Sequence, residues 1–309
     1  MTPFMKFNDF CNNVYLPYVL RAFELSTYHR YIKDLIAIKE QIGNKRMIFI
    51  TQKTIKGLLK TLESRDIKQS TVRAYFKVIK AIFNYAVANR NILKNPCSGI
   101  WVKEGLSGAG AFTSKEVKIL AEHIRVNYPT IYLAVYLAVN TGMRRGEILG
   151  LIWANVDFDR KEIMINQSLC RTVAGTIYIK TPKTENGKRI IAISSEVVEV
   201  LRKTKSNSGC DYVVSDYSGK TYMDPQYLTN YFGRAVRECN VTKRRFHDLR
   251  HTHASLLLAA GVSINVVSAR LGHANIDITL KVYSHMLPGQ QHAAAEAFSK
   301  GMKNGFIST

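Results

Sequence analysis

The sequence predicts a mainly helical α+β protein, in which a helical domain precedes a second domain with a small antiparallel β-sheet. Three observations support this fold class. The chain has 309 residues, enough for two separately buried cores. Apolar residues recur at helical spacing through the first hundred residues. Runs rich in β-branched residues fall instead between 162 and 193.

The first hundred residues are predicted to form helices at 7–23, 27–42, 52–63 and 71–89. The last has the clearest apolar face, formed by Val72, Tyr75, Phe76, Ile79, Phe83, Ala86 and Val87. Another face of the same helix carries Arg73, Lys77 and Lys80, spaced at i, i+4 and i+7. This basic stripe is either a solvated surface or a contact for a polyanion, and both interpretations stay open.

The helical region ends at Asn95-Pro96, because the residue before a proline disfavours the helical conformation. Residues 105–110 are small and flexible, as in a linker. Thr113 with Glu116 then forms a capping box, which begins a new helix. We therefore expect a helical domain at 1–105, a linker at 106–112 and a second domain at 113–309.

The second domain is predicted to contain both helices and strands. We expect helices at 115–125 and 130–140, and strands at 162–167, 176–181 and 188–193. Asn186-Gly187 favours a type I′ hairpin turn between the last two strands, because both central positions of that turn need positive φ. From 195 onward the chain is predicted to be helical, apart from a strand-like segment at 211–214 and up to a tail helix at about 290–303.

The charge of the chain indicates a polyanionic partner. There are 44 Lys and Arg against 23 Asp and Glu, with a net charge of +21 and a pI near 9.8. The excess is spread over both predicted domains, since residues 1–105 alone carry 18 Lys and Arg against 7 Asp and Glu. Nucleic acid is the most frequent partner of so basic a chain, and an anionic membrane or a merely solvated surface are the alternatives.

The cysteines and the hydropathy pattern exclude several classes of protein. The five cysteines are an odd number and contain no Cys-x-x-Cys pair, which argues against a disulfide framework and a zinc site. The N-terminus lacks a signal-peptide pattern, and no apolar stretch approaches the length of a membrane span. We therefore expect a reduced, cytoplasmic protein with no membrane partner.

Four separated segments hold candidate functional residues. They are Thr141–Glu147, with two adjacent arginines; Thr181–Thr184, with Lys183; His247–Arg250; and Leu271–His273, followed ten residues later by Tyr283. Each alone is common in unrelated proteins. In this order and spacing they resemble the boxes of the tyrosine recombinases of the phage-integrase type. The resemblance covers residues 112–290 well, and 1–105 only as a helical region in the position of that family's core-binding domain.

The resemblance implies a role for each matching residue. Tyr283 would be the nucleophile, and Arg144 and Arg250 would hold the scissile phosphate. Lys183, His247 and His273 would complete the catalytic set, with Glu147 supporting the first arginine. Arg144 matches better than its neighbour Arg145, because it directly follows Thr141-Gly142-Met143.

Elementary chemistry supports this set of residues. Two guanidiniums supply fixed, permanently charged donors for the oxygens of a phosphodiester in its transition state. Tyrosine has an ordinary pKa of about 10, so nearby cations are needed to stabilise the attacking phenolate. Lys183 is the expected general acid for the leaving 5′ oxygen. His247 is either a base or a phosphate ligand. We expect neither a metal nor another cofactor, since the sequence has no carboxylate cluster suited to two metals and no P-loop.

The resemblance also implies partners and an outcome. It implies a site-specific recombinase whose outcome is integration and excision, inversion or resolution of DNA. The enzyme would act on double-stranded DNA as a homotetramer, with DNA-bending or directionality factors as additional partners, in a prokaryotic cytoplasm near the nucleoid. The tail at 290–303 would dock on a neighbouring subunit, or alternatively pack on its own domain. The alternatives are a type IB topoisomerase, a non-catalytic regulator with the same fold, and a basic nucleic-acid-binding module with chance motifs. Since the helical region starts within about ten residues of Met1, we expect no arm-binding domain, either by nature or because the chain is shortened.

Overall fold

The computed structural model describes residues 4–103, 110–172, 175–181 and 187–272, together with the isolated positions 275, 276, 280, 298 and 299. The chain forms two compact units. The first comprises Met1–Gly108 with Thr172–Thr176, and the second comprises Ala109–Arg171 with Ile177–Thr309. Most of the predicted tail helix lies outside the described residues.

The first unit is helical, as its sequence predicts. Its helices are α1 (Phe7–Phe10), α2 (Leu16–Ala22), α3 (Leu25–Ile42), α4 (Gln52–Glu63) and α5 (Gln69–Ala88), with a π-helical turn at Cys11–Tyr15 between α1 and α2 and a 3₁₀ turn at Met47–Phe49. Helix α5 runs through the core, where Val72, Phe76, Ile79 and Phe83 are buried. Each such side chain contributes about 1.5–3 kcal/mol when it is fully buried.

The second unit combines seven described helices with five short strands. The helices are α6 (Ser114–Asn127), α7 (Pro129–Thr141), α8 (Arg145–Leu149), α9 (Ser195–Ser206), α10 (Pro225–Glu238), α11 (Asp248–Ala259) and α12 (Ile264–Leu271). The predicted capping box begins α6, where the Thr113 hydroxyl accepts the Glu116 N–H at 3.2 Å and Glu116 accepts the Thr113 N–H at 2.8 Å. Helix α7 is apolar around most of its surface and packs against α6, α8 and α11.

The strands form two small antiparallel sheets instead of one. They are β1 (Val156–Asp157), β2 (Glu162–Ile165), β3 (Ser168–Arg171), β4 (Ile177–Lys180) and β5 (Arg189–Ala192). One sheet has the order β1-β2-β5, and the other pairs β3 with β4. The sequence analysis missed β3, because only Leu169 of its four residues is buried and apolar. The segment 211–214 makes an isolated bridge from Tyr212 to Ile152.

The predicted hairpin between 176–181 and 188–193 is wrong. Strand β4 pairs with β3, and β5 pairs with β2, with Ile163 opposite Ile191. These two isoleucines are buried, so the apolar face of β5 gains more by joining β2 than by following a local turn signal. Asn186 lies outside the described residues. Within the described ranges, the helices are all too short or too polar to cross a membrane.

Candidate active site

The second unit brings three of the predicted site residues, Arg144, Glu147 and Arg250, to the C-terminal end of α12. His247 lies at the start of the helix that carries Arg250. Lys183, His273 and Tyr283 lie outside the described residues. The described part of the site is therefore the pair of predicted phosphate-binding arginines and the groups that hold them.

A tight turn after α7 positions the first arginine. Gly142 ends α7 in the left-handed conformation, with φ of 66°. A Cβ at Gly142 would lie 2.6 Å from Cδ2 of His253, so this close approach also requires glycine. The buried Thr141 hydroxyl accepts the Met143 N–H at 3.3 Å and thereby closes the turn. Arg144 follows in extended conformation as the residue that precedes α8.

Arg144 is fixed by the carboxylate one helical turn later. Glu147 accepts the Arg144 backbone N–H at 2.8 Å through Oε2, and the Arg144 Nη1 at 2.8 Å through Oε1. The Arg144 Nη2 donates to the Gly272 carbonyl at 3.1 Å. The side chain remains 40% exposed, so an anion can reach it from solvent. Arg145 instead donates to the Thr229 hydroxyl at 2.6 Å, away from these groups.

Arg250 is buried and joins the ends of two helices. Its Nη1 donates to the Gly142 carbonyl at 2.9 Å, and its Nη2 donates to the Leu271 carbonyl. These carbonyls lie at the C-terminal ends of α7 and α12, where the helix dipole places negative partial charge. The guanidinium is therefore held in one orientation before any substrate arrives.

Glu147 binds a second arginine besides Arg144, namely Arg189 at the start of β5. The Arg189 Nη1 and Nη2 donate to the two carboxylate oxygens at 3.1 and 2.7 Å, and both side chains are buried. Burial raises the pKa of Glu147, but the hydrogen bond and charge of Arg189 and the charge of Arg144 outweigh it, lowering the pKa from 4.5 to about 2. The sequence analysis missed Arg189. The sequence feature that could have indicated it is an arginine at the start of an otherwise apolar strand, Arg189-Ile190-Ile191-Ala192.

His253 and Arg270 link α11 and α12 to their neighbours. The His253 Nδ1 lies 2.7 Å from the Val139 carbonyl, and the Arg270 Nε donates to the His253 Nε2 at 3.0 Å. Burial and the charge of Arg270 lower the pKa of His253 to about 4, so this histidine is neutral and carries its proton on Nδ1. Arg270 also donates to the Ala192 carbonyl at 2.8 Å and ties α12 to β5.

His247 stands at the surface, where α11 begins. Partial desolvation, the neighbouring His251 and the charge of Arg250 lower the pKa of His247 below its usual value. The two imidazole rings meet edge to face, with centroids 5.4 Å apart. A neutral imidazole at physiological pH is able to accept a proton. Asp248, next along the helix, is buried and accepts the Arg245 N–H at 2.8 Å.

The predicted basic stripe lies on α5 of the first unit. Lys77 and Lys80 are exposed and Arg73 is half-buried, on the side of α5 opposite its buried residues. In neither unit, as far as described, do three or more His, Cys, Asp or Glu side chains gather in a group that could hold a metal ion.

The chain is similar to known proteins over nearly its full length. The family described as "Phage integrase family" matches residues 111–289, and the "Phage integrase SAM-like domain" matches 6–101. A tyrosine recombinase XerC-like protein of Caldanaerobacter subterraneus is 29% identical, covering 88% of this chain and 75% of its own. The ICEBs1 integrase of Bacillus subtilis is 26% identical, covering 80% and 70%.

Solved structures share the fold. The Tn1549 transposon integrase, solved with transposon right end DNA, superposes with a TM-score of 0.80 at 22% identity, covering 92% of this chain and 98% of that one. A lambda integrase dimer bound to a core site gives a TM-score of 0.71 at 19% identity, covering 89% and 97%.

The family match and these relatives make the chain an enzyme of the tyrosine-recombinase class, which breaks and rejoins DNA at specific sites. With 111–289 matched to its defining domain, the chain belongs to the phage integrase family.

Proposed function

We propose that Tyr283 cleaves DNA by attacking a phosphodiester that Arg144 and Arg250 hold. One observation carries the proposal. The two arginines donate to the consecutive carbonyls of Gly272 and Leu271, directly before His273 in the sequence. Two guanidiniums from distant parts of the chain thus converge on one short segment, as binding a single phosphate requires.

The reaction proceeds in two balanced steps. The Tyr283 oxygen forms a bond to phosphorus, and the bond from phosphorus to the 5′ oxygen breaks. Lys183 gives that oxygen a proton, so a free 5′-hydroxyl leaves and the 3′ end stays on the tyrosine. The 5′-hydroxyl of a second strand then attacks the phosphotyrosine and gives its proton back to Lys183. The bond from phosphorus to the Tyr283 oxygen breaks, and the tyrosine regains the proton that it lost in the first step. The bond energy is kept throughout, so the reaction consumes no nucleotide.

The remaining residues have supporting roles. We assign His247 as acceptor of the phenolic proton of Tyr283, supported by its exposure at the start of α11 and by its lowered pKa, which favours the neutral imidazole. We assign His273 as a hydrogen-bond donor to the phosphate. Glu147 keeps Arg144 oriented through its backbone and side-chain bonds.

We propose that the protein acts on double-stranded DNA as a tetramer. The helical domain 1–105, with Arg73, Lys77 and Lys80, would bind the duplex as a core-binding domain, and the catalytic domain 113–309 would bind it as well. The solved relatives support this proposal, since lambda integrase forms a dimer on a core site and a tetramer on a Holliday junction. The segment 290–303 would dock on a neighbouring subunit. Accessory DNA-bending proteins would be additional partners, and the protein would act at the nucleoid.

The biological outcome that we propose is integration and excision of a mobile element. The support comes from the relatives, which include the ICEBs1 integrase and the transposase of transposon Tn916 from Enterococcus faecalis. The competing outcome, relaxation of supercoils without strand exchange, predicts full activity from a monomer on plasmid DNA that lacks a specific site.

Covalent trapping tests the proposed chemistry. The protein is mixed with DNA from the ends of its own element, nicked near the cleavage point so that the short 5′-hydroxyl fragment escapes. A protein–DNA band that survives detergent is expected, and it disappears in Tyr283→Phe. Arg144→Lys should reduce its rate of formation about 100-fold or more, because a fixed donor to the developing charge is lost. Arg145→Lys is the matched control and should stay near wild type. Equal effects of the two lysine variants would contradict the assignment of Arg144.

A further inference from the structure

The end of α12 is held by three arginines from three different elements. Arg189 of β5 donates through Nε to the Arg270 carbonyl at 2.9 Å. Arg250 of α11 donates to the next carbonyl, at Leu271, and Arg144 donates to the one after it, at Gly272. Three successive backbone acceptors are thus bound by three guanidiniums. Two of these belong to the proposed phosphate site, and Arg189 is the third.

Arg189 is already paired with a carboxylate inside the protein, so we do not assign it a direct contact with substrate. Its side chain is 7% exposed, and its guanidinium is already bonded to the Arg270 carbonyl and to both oxygens of Glu147. It also packs against Gly272, where a Cβ would lie 2.9 Å from the Arg189 Cδ. Its effect on the reaction must therefore pass through its neighbours.

The charge balance around Glu147 gives Arg189 a function. One carboxylate facing Arg144 alone would form a neutral ion pair and cancel much of the positive charge offered to a phosphate. With Arg189 bound to the same carboxylate, the three groups carry a net charge of +1. The bidentate contact also fixes the plane of the carboxylate and therefore the direction of the Arg144 side chain.

We propose that Arg189 is a positioning residue for DNA cleavage, which orients Arg144 and keeps it electropositive by sharing Glu147 with it. The proposal rests on the assignment of Arg144 to the scissile phosphate. A lysine at 189 retains the charge but does not form the bidentate contact and the Nε bond together. A glutamine loses the charge as well. The two variants therefore separate the electrostatic part of the function from the geometric part.

The first measurement is the single-turnover rate of covalent complex formation at saturating DNA, for Arg189→Gln and Arg189→Lys. A misdirected group at a reacting centre costs about 100-fold in rate, so we expect a loss of about 10- to 100-fold for the glutamine and a smaller loss for the lysine. DNA affinity should change less than twofold. Each rate is divided by the folded fraction of that variant, which urea unfolding measures. If Arg189→Gln does not fold, the rate of Arg189→Lys alone tests the proposal.

The second measurement asks whether the defect passes through the charge of the phosphate. A methylphosphonate at the scissile position removes the charge that Arg144 binds. The defect of Arg189→Gln should therefore shrink at least fivefold on this substrate, as should that of Arg144→Gln. An undiminished defect would mean that Arg189 is merely structural, and a wild-type rate on ordinary phosphate would overturn the proposal directly. If Arg144→Gln or Tyr283→Phe cleaved normally, the proposed function itself would fail instead.

Discussion

Replacing Gly142 with alanine tests whether the turn after α7 sets the arginine geometry. Gly142 has φ of 66°, and its carbonyl accepts a hydrogen bond from Arg250. The new Cβ would lie 2.6 Å from Cδ2 of His253 and 2.9 Å from Cδ2 of Leu271. Neither neighbour has room to withdraw, because both are buried and His253 is bonded at both ring nitrogens.

The expected loss of stability has two parts. A residue other than glycine in the left-handed region costs about 1–2 kcal/mol. Forcing a methyl group into a packed core costs about 1–3 kcal/mol more. The free energy of unfolding of the second unit should therefore fall by about 2–5 kcal/mol. Cleavage should fall as well, because the acceptor of Arg250 moves with the turn.

Urea unfolding in a Trp101→Phe background, monitored by the fluorescence of the largely buried Trp153, measures this loss within the second unit. Gly261→Ala is the matched control. Gly261 has φ of 83° and nothing within 4 Å of the position of its Cβ, so only the conformational part applies and the loss should be about 1–2 kcal/mol. If Gly142→Ala were no more destabilising than Gly261→Ala, the close packing argued for this turn would be wrong.

Two further predictions concern charge. Glu147 has its pKa lowered from 4.5 to about 2, so its stabilisation is fully present above about pH 4.5 and is lost as the pH falls towards 2. Between pH 5 and pH 2, wild type should lose about 3 kcal/mol more unfolding free energy than Glu147→Gln, and parallel pH profiles would contradict the ionised glutamate. Lys77→Gln and Lys80→Gln should each reduce the slope of log affinity for DNA against log salt by about 1, if each lysine neutralises one phosphate. Unchanged slopes in a filter-binding titration would leave the stripe as a solvated surface.

Local patterns in the sequence were enough to predict the helices α3 to α7. The apolar period of α5 and the capping box at Thr113 and Glu116 are properties of neighbouring residues, and the structure shows both. The likeness of Thr141–Glu147 to a family box also indicated Arg144 over Arg145, and the structure places only Arg144 beside Glu147 and Gly272. Whether Arg144 acts on DNA stays a prediction.

Features that depend on distant partners could not be predicted in this way. The strand β5 has a turn signal just before it, yet it pairs with β2, about 25 residues earlier, because Ile163 and Ile191 bury each other there. Arg189 looked like an ordinary charged residue at a strand end. Its function depends on Glu147, 42 residues away, and nothing local to either residue indicates that pairing.

The division of the strands between two sheets also has a consequence for Lys183, which lies between β4 and β5 in the sequence. The chain enters its segment from β4, in one sheet, and leaves it through β5, in the other. The far anchor is Arg189 itself, six residues after Lys183 and bonded to Glu147. Six residues span at most about 20 Å, so the lysine has a limited radius of reach around the arginine cluster. A shift of the two-stranded sheet would move Lys180 while Arg189 stays in place, so the proton transfer that we propose for Lys183 would depend on the relative position of the two sheets.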